Sequence, residues 1–175
     1  MMPRLIILRG IPASGKTNLA MELVKDGCIR VNKDDLRAMF FGGYSIEHDD
    51  FINPIALLLI DAGLGHGFDV ISDNTNLPGK FFEDQISLAD KMGIEIVIKN
   101  VIADVDICIK RDKERNRTVG EEVVRNFEKV RHGDVKPCPY CNSQELMIGR
   151  MGPNEVLMWS CRCGQRWPYT KEETQ

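Results

Sequence analysis

The sequence predicts an α/β chain: a parallel sheet between two layers of helices, followed by a small cysteine-bearing module. Three observations carry this. Short apolar runs ("RLIIL", "CIRV", "FDVIS", "IEIVI") alternate with stretches of helical periodicity. The first run ends in a glycine-rich turn that opens straight into an amphipathic helix. Four of the six cysteines fall between residues 138 and 163, beyond a Gly/Pro-rich "GDVKPCP". Strands alternating with helices imply right-handed crossovers and therefore parallel pairing. The composition change at "GDVKPCP" divides the chain into residues 1–134, the α/β domain, and 135–175, the module.

In chain order, "RLIILRG" is a continuous apolar run, as a strand buried on both faces requires. "GKTNLAMELVKDG" places Leu19, Ala20, Leu23 and Val24 on one helical face, with Gly27 as its stop. "CIRV" is the second strand. A short helix "DLRAMF" follows, with Asp35, or failing it Asp34, as the expected N-cap. "DDFINPIALLLIDAGLGHG" holds a helix beginning near Pro54, and "FDVISD" is the third strand. "PGKFFEDQISLADKMG" is a helix with Pro78 at its start and Gly93 at its end, and "IEIVIKNVIA" is the fourth strand. Residues 105–117 form a charged helix. "EEVVRNFEKVRH" forms another, with acids in its first turn and bases in its last, as the helix dipole favours.

The totals exclude some functions. The chain has 175 residues, is 43% hydrophobic and 28% charged, and carries a net charge of −3. That argues against a large basic nucleic-acid surface, although one basic groove can sit on an acidic protein. No apolar run approaches the roughly 20 residues of a membrane span. The N-terminus lacks a signal-peptide pattern, so a cytoplasmic protein without a membrane partner is expected. Cys28 and Cys108 stand in apolar surroundings and read as small core residues.

"GIPASGKT", residues 10–17, matches G-x-x-x-x-G-K-[ST] in full, with a strand before it and a helix after it. Glycines let the backbone wrap a phosphate chain, and the helix N-terminus adds positive potential. Gly10, Ala13, Ser14, Gly15, Lys16, Thr17 and Asn18 are the expected nucleotide contacts. Lys16 would reach the β- and γ-phosphates of ATP and the Thr17 hydroxyl would ligate Mg²⁺. This defines a three-layer P-loop domain and a nucleoside triphosphate, but no acceptor.

The acceptor side lies in "VNKDDLR". The "NKDD" match to a guanine-reading N-K-x-D motif is rejected, because it follows the second strand, some fifteen residues after the glycine-rich turn, whereas a base-reading loop belongs several strands later. In parallel sheets chemistry gathers at the carboxyl ends of strands. Asp34 follows the second strand and Asp73 ends the third, so both face the γ-phosphate if those strands neighbour the first. Asp34 is a candidate general base. Arg37, three residues on, shares its helical face and could hold an anionic acceptor. In "KRDKERNR" the interleaved charges describe either a solvated face or a lid that offers an arginine to the phosphates; Arg115 leads, with Arg111 and Arg117 behind.

Together, "GIPASGKTN", "RVNKDDLR", "VISDNTNL" and "KRDKERNR…EEVVRNF" resemble the polynucleotide 5′-kinase domain of phage end-healing enzymes, over residues 4–131. The resemblance implies phosphoryl transfer from ATP to 5′-hydroxyl ends of DNA or RNA. It also implies roles: Lys16 and Thr17 as the P-loop pair, Asp34 as the general base, Arg37 on the phosphate 3′ of the terminal nucleotide, and Arg115 as the lid arginine. "SDNTNL" is one residue longer than the family pattern, so Asp73 or Asn74 takes the place of the acid after the third strand. Asp73 is preferred as the one able to pair with Arg37. No 3′-phosphatase activity is expected of a chain this short.

Cys138, Cys141, Cys161 and Cys163 form C-x₂-C…C-x-C, close to a zinc-ribbon spacing, around a hairpin with its turn at "MGPN". A structural Zn²⁺ is expected, since about 40 residues rarely bury enough core. Trp159, Trp167, Tyr140 and Tyr169 among Arg150, Arg162 and Arg166 suit either strand-end binding or a small core. The three histidines fall in no ligand pattern. Two other functions compete with polynucleotide kinase: a small-molecule or nucleoside kinase on the same scaffold, and a nucleotide-sensing nucleic-acid adaptor.

Overall fold

The computed structural model describes residues 2–43, 46–77, 79–115, 117–132, 141, 143, 145–151, 156–161, 163 and 165–168. The elements run β1 (Arg4–Arg9), α1 (Lys16–Lys25), β2 (Ile29–Val31), α2 (Lys33–Phe41), a 3₁₀ turn (Ile46–His48), α3 (Asp49–Gly65), β3 (Val70–Asp73), α4 (Lys80–Lys91), β4 (Glu95–Asn100), α5 (Val105–Glu114) and α6 (Glu121–His132). The strands β5 (Glu145–Met151), β6 (Val156–Ser160) and β7 (Arg166–Pro168) follow. Pro78 and the loop beyond "MGPN" Met151 lie outside the described residues.

The sheet order is β2-β3-β1-β4-β5-β6-β7. The first four strands are parallel. Alternation along β1 explains the layers. Leu5 and Ile7 face Ala56, Ile60 and Leu64 of α3 and Phe82, Ile86 and Ala89 of α4. Ile6 and Leu8 face Ala20 of α1 on the other side. Each fully buried aliphatic side chain here contributes about 1.5–3 kcal/mol of transfer free energy. A third cluster of Ile11, Cys108, Ile109 and Val124 fastens α5 and α6 beside the glycine-rich loop. Cys108 is therefore a core residue, as its surroundings suggested. Among the described residues no helix is long and apolar enough to cross a membrane.

Details differ from the sequence reading, among them the charged helix, which ends at Glu114 and not at 117. β2 does not border β1; β3 lies between them. The helix expected near Pro54 begins at Asp49. Pro54, in the second turn of that helix, forgoes the backbone bond to the Asp50 carbonyl. Neither Asp34 nor Asp35 caps α2. Asn32 does, its side chain accepting from the Asp35 N–H at 2.9 Å, and this leaves both acids in the first turn, where the helix dipole favours them.

The expected hairpin is present as β5 and β6, with β7 beyond it. It continues the main sheet: β5 pairs antiparallel with β4, Ile98 opposite Leu146. Leu146 is fully buried in the same cluster as Ile98, and Cys161 joins it. Glu145 lies opposite Lys99, so the end of β5 next to Cys141 sits at the carboxyl edge of β4, the edge that carries the chemistry.

Candidate active site

The glycine-rich loop is shaped by steric necessity. A Cβ at Gly10 would lie 2.5 Å from the Val101 carbonyl oxygen and 2.8 Å from Ser14 Oγ. Gly15 precedes α1 with φ 105, and Ala13 holds a left-handed φ of 60. Val101 N–H donates to the Arg9 carbonyl at 2.7 Å, which ties the loop to the end of β4. Lys16 is buried. Its ammonium donates to the carbonyls of Gly10 at 2.9 Å and Ile11 at 2.8 Å. Burial pushes its pKa down to about 8; Asp73 pulls it back up, Arg115 pushes it further down and Asp34 pulls weakly upward. That ordering places Asp73, Arg115 and Asp34 within electrostatic reach of one ammonium. Thr17 and Asn18 are exposed in the first turn of α1, open to a ligand. Ser14 Oγ is buried with no hydrogen bond among the described residues.

Asp73 ends β3 opposite Leu8 of β1 and is 1% exposed. Its Oδ2 accepts from Arg30 Nε at 2.7 Å, and its Oδ1 has no hydrogen bond among the described residues. Asp73 therefore pairs with Arg30 of β2, not with Arg37 as expected. β2 lies directly beside β3, so Arg30 reaches the carboxylate first. Arg30 also bridges to Asp35. Asn74 has a different employment: its Oδ1 accepts from Lys33 N–H at 2.9 Å and its amide donates to Ser72 Oγ at 3.2 Å. Asn32 donates to the Asp73 carbonyl. These two asparagines stitch the start of α2 to the loop after β3.

Asp34 and Arg37 share one face of α2, as their spacing predicted, with Arg37 Nη1 donating to Asp34 Oδ1 at 2.8 Å. Asp34 is half exposed, while Arg37 is 3% exposed and also pairs with Asp49 at the start of α3. The Lys33 ammonium sits 4.3 Å from the centroid of the Phe81 ring and donates to Asn53 at 3.0 Å; burial lowers its pKa.

The segment after α5 closes the site. Arg115 pairs with Asp112, and Arg117 lies 3.7 Å from Asp34. Asp112 is buried, which raises its pKa, but the N–H groups of Gly120 (2.9 Å) and Val119 (3.0 Å) and the Arg115 charge outweigh this and hold it low. Asp112 thus anchors the loop that presents Arg115 and Arg117. In the sequence it looked like one charge of a solvated face.

At the module, the sulfurs of Cys141, Cys161 and Cys163 lie within 4.8 Å of one another, with Cys141 and Cys161 3.5 Å apart. That is too long for a disulfide and close to the ~3.8 Å edge of a tetrahedron with Zn–S bonds of about 2.3 Å. Cys161 N–H donates to the Gln165 carbonyl at 3.0 Å, turning the chain back at the cluster. Cys138, Tyr140, Arg162 and Tyr169 lie outside the described residues, as do the side chains of Arg150, Trp159, Arg166 and Trp167.

A buried lysine at a glycine-wrapped helix start, faced by two acids and a loop of arginines, has the form of a P-loop phosphate-binding site. The comparisons agree. A profile of the AAA domain family matches residues 5–132, and the chain belongs to that family. The chain is 28% identical over 128 residues to the L-seryl-tRNA(Sec) kinase of Methanococcus maripaludis, covering 70% of this chain and 50% of that protein. It superposes on a chain of the Pnkp1/Rnl/Hen1 RNA repair complex with TM-score 0.65 and 25% identity, covering 74% of this chain and 44% of that one. It therefore spans about half, or less, of these two relatives. The APS kinase CysC of Mycobacterium tuberculosis, solved with AMPPNP and APS, shares the fold at TM-score 0.52 and 17% identity, covering 63% of this chain and 69% of that one. The named substrates of these neighbours differ.

Proposed function

We propose that the protein transfers the γ-phosphate of ATP to the 5′-hydroxyl of a polynucleotide. The observation that carries this is the Asp34–Arg37 pair, a carboxylate and a cation on one helical turn, electrostatically linked to Lys16. Asp34 would take the proton of the attacking hydroxyl. Arg37 would leave Asp49 to hold the phosphate that follows the terminal nucleotide, by a bidentate contact. Arg115, with Arg117 beside it, would meet the charge developing on the transferred group. Asp73, buried and with an unused oxygen, together with the Thr17 hydroxyl, suits the sphere of a hard cation such as Mg²⁺. Held there, Mg²⁺ would supply positive charge to neutralise the phosphates. Two relatives named for a tRNA and for RNA repair favour a nucleic-acid acceptor over a small metabolite.

We also read the cysteine cluster as a structural Zn²⁺ site with Cys138 as fourth ligand. A cytoplasmic location suits four reduced thiols. Cys161→Ser should lose the metal and lower the melting temperature of the full chain; retention of zinc at one equivalent would refute this ligand set.

The deciding experiment offers labelled ATP-Mg²⁺ three acceptors: a 5′-hydroxyl oligonucleotide, a nucleoside 3′-monophosphate and a free nucleoside. Labelling of the first two but not the third is expected. Labelling of none would return the site to a metabolite kinase.

A further inference from the structure

Beside the acceptor residues lies a group of aromatic rings that the catalytic reading does not use. Phe40 and Phe41 end α2, and Phe51 begins α3. They are 44%, 42% and 49% exposed. Phe51 meets Phe40 edge-on at 5.5 Å between centroids and Phe41 at 5.8 Å, and His48 stacks flat on Phe41 at 3.7 Å. The rings pack on one another, yet each of the three phenylalanines stays more than two-fifths exposed. An exposed apolar cluster at the rim of a polar site marks a contact surface.

Its position says what it contacts. Arg37 precedes Phe40 and Phe41 by three and four residues, so all three share a face of α2, about 5–6 Å apart along the helix. The seam between α2 and α3 therefore runs from Asp34 to Arg37, with Asp49 as its partner, and on to the rings. Glu47 and Asp50, the chain neighbours of His48 and Phe51, disfavour phosphate there, so the contact suits uncharged ring faces.

We propose that Phe40, Phe41 and Phe51 form a stacking platform for the unpaired bases that follow the 5′-terminal nucleotide of a single-stranded acceptor. This rests on the polynucleotide reading above and deepens it. The terminal hydroxyl lies at Asp34, the first phosphate at Arg37, and the next bases cross the phenyl faces. Stacking tolerates any base sequence, so the platform selects for an unpaired end and not for a sequence.

The test pairs protein and acceptor changes. Phe40→Ser/Phe51→Ser is compared with the wild type on a 5′-hydroxyl hexanucleotide, on the same hexanucleotide abasic at its second and third positions, and on a nucleoside 3′-monophosphate. The platform predicts a roughly ten-fold rise in KM for the intact hexanucleotide in the variant. The abasic change should cost the wild type a similar factor and the variant nothing further, with Phe51→Trp restoring the wild-type value. Equal losses on the hexanucleotide and the monophosphate, or independent costs for protein and base changes, would overturn it. So would a variant that only dissociates a dimer in sedimentation with acceptor kinetics intact, which would assign the rings to a second copy of the chain. If the wild type phosphorylates none of the three acceptors, the polynucleotide reading has failed first, and the platform falls with it.

Discussion

The donor and acceptor halves of the site are built by different means. The donor half is one unbroken stretch of backbone, Gly10 to Thr17, whose single buried cation is satisfied by carbonyls of its own loop. The acceptor half is assembled from side chains of β2, α2, α3, β3 and the loop after α5, almost all held in ion pairs. A backbone cradle is fixed by local geometry and fails as a whole. A web of ion pairs has exchangeable partners, so it can be entered by an anionic substrate and it fails piecemeal.

Changes to the donor half should do the most damage. Gly10→Ala drives a Cβ into the Val101 carbonyl, a backbone atom that cannot step aside. ATP binding should be lost, and turnover should fall by at least about 10³-fold; isothermal titration with ATP-Mg²⁺ separates this from unfolding. In the acceptor half Asp34→Asn should lower kcat by about 10²–10⁴-fold while ATP affinity stays within about two-fold. Wild-type turnover by that variant would remove Asp34 as the base. Arg30→Ala strands the buried Asp73 carboxylate without its partner and should cost about 3 kcal/mol in urea denaturation. No loss of stability would mean that Asp73 finds a cation elsewhere.

The smallest effect tests the donor cation through its proton. With a pKa of about 8 against an ordinary 10.5, Lys16 in the ligand-free site is protonated below about pH 8 and neutral above it. Phosphate favours the charged form, so ATP binding at pH 8.5 should take up a proton, and affinity should weaken as pH rises beyond 8. Titrations in buffers of different ionisation enthalpy read this directly. The unfolded chain holds that proton more tightly than the folded one, so the ligand-free protein should gain stability from Lys16 between about pH 8 and 10.5. Proton uptake that persists in Lys16→Met would assign the effect to another group.

The same contrast explains how much was legible in the sequence. A contiguous motif carries its own geometry, so residues 10–17 were readable from spacing alone. Asp34 and Arg37 were readable because three residues make nearly one helical turn. The Asp73–Arg30 pair was not, since it depends on β2 lying beside β3 and not beside β1, and strand order leaves no mark on short apolar runs. The cap of α2 was misassigned for a related reason: Asn32 is favoured by the Asp73 carbonyl, which only the fold brings near. Asp112 was obscured by charged neighbours, which also left Arg117 ranked behind Arg115; the cue that Asp112 differs is Arg115 three residues on, followed by a glycine at 120 that presents its N–H.

The pairing of β5 with β4 has a further consequence. In the order β2-β3-β1-β4, β4 would be the outermost strand, with Ile96, Val97 and Ile98 along an open ladder of backbone donors and acceptors. Such an edge invites another chain to add a strand. Antiparallel β5 fills those positions from within the same polypeptide, and the last strand, β7, is only three residues long, with an arginine and a proline at its ends. A truncation made between α6 and β5 would keep every phosphate-handling residue and still yield a sticky protein, prone to inclusion bodies and fibrils.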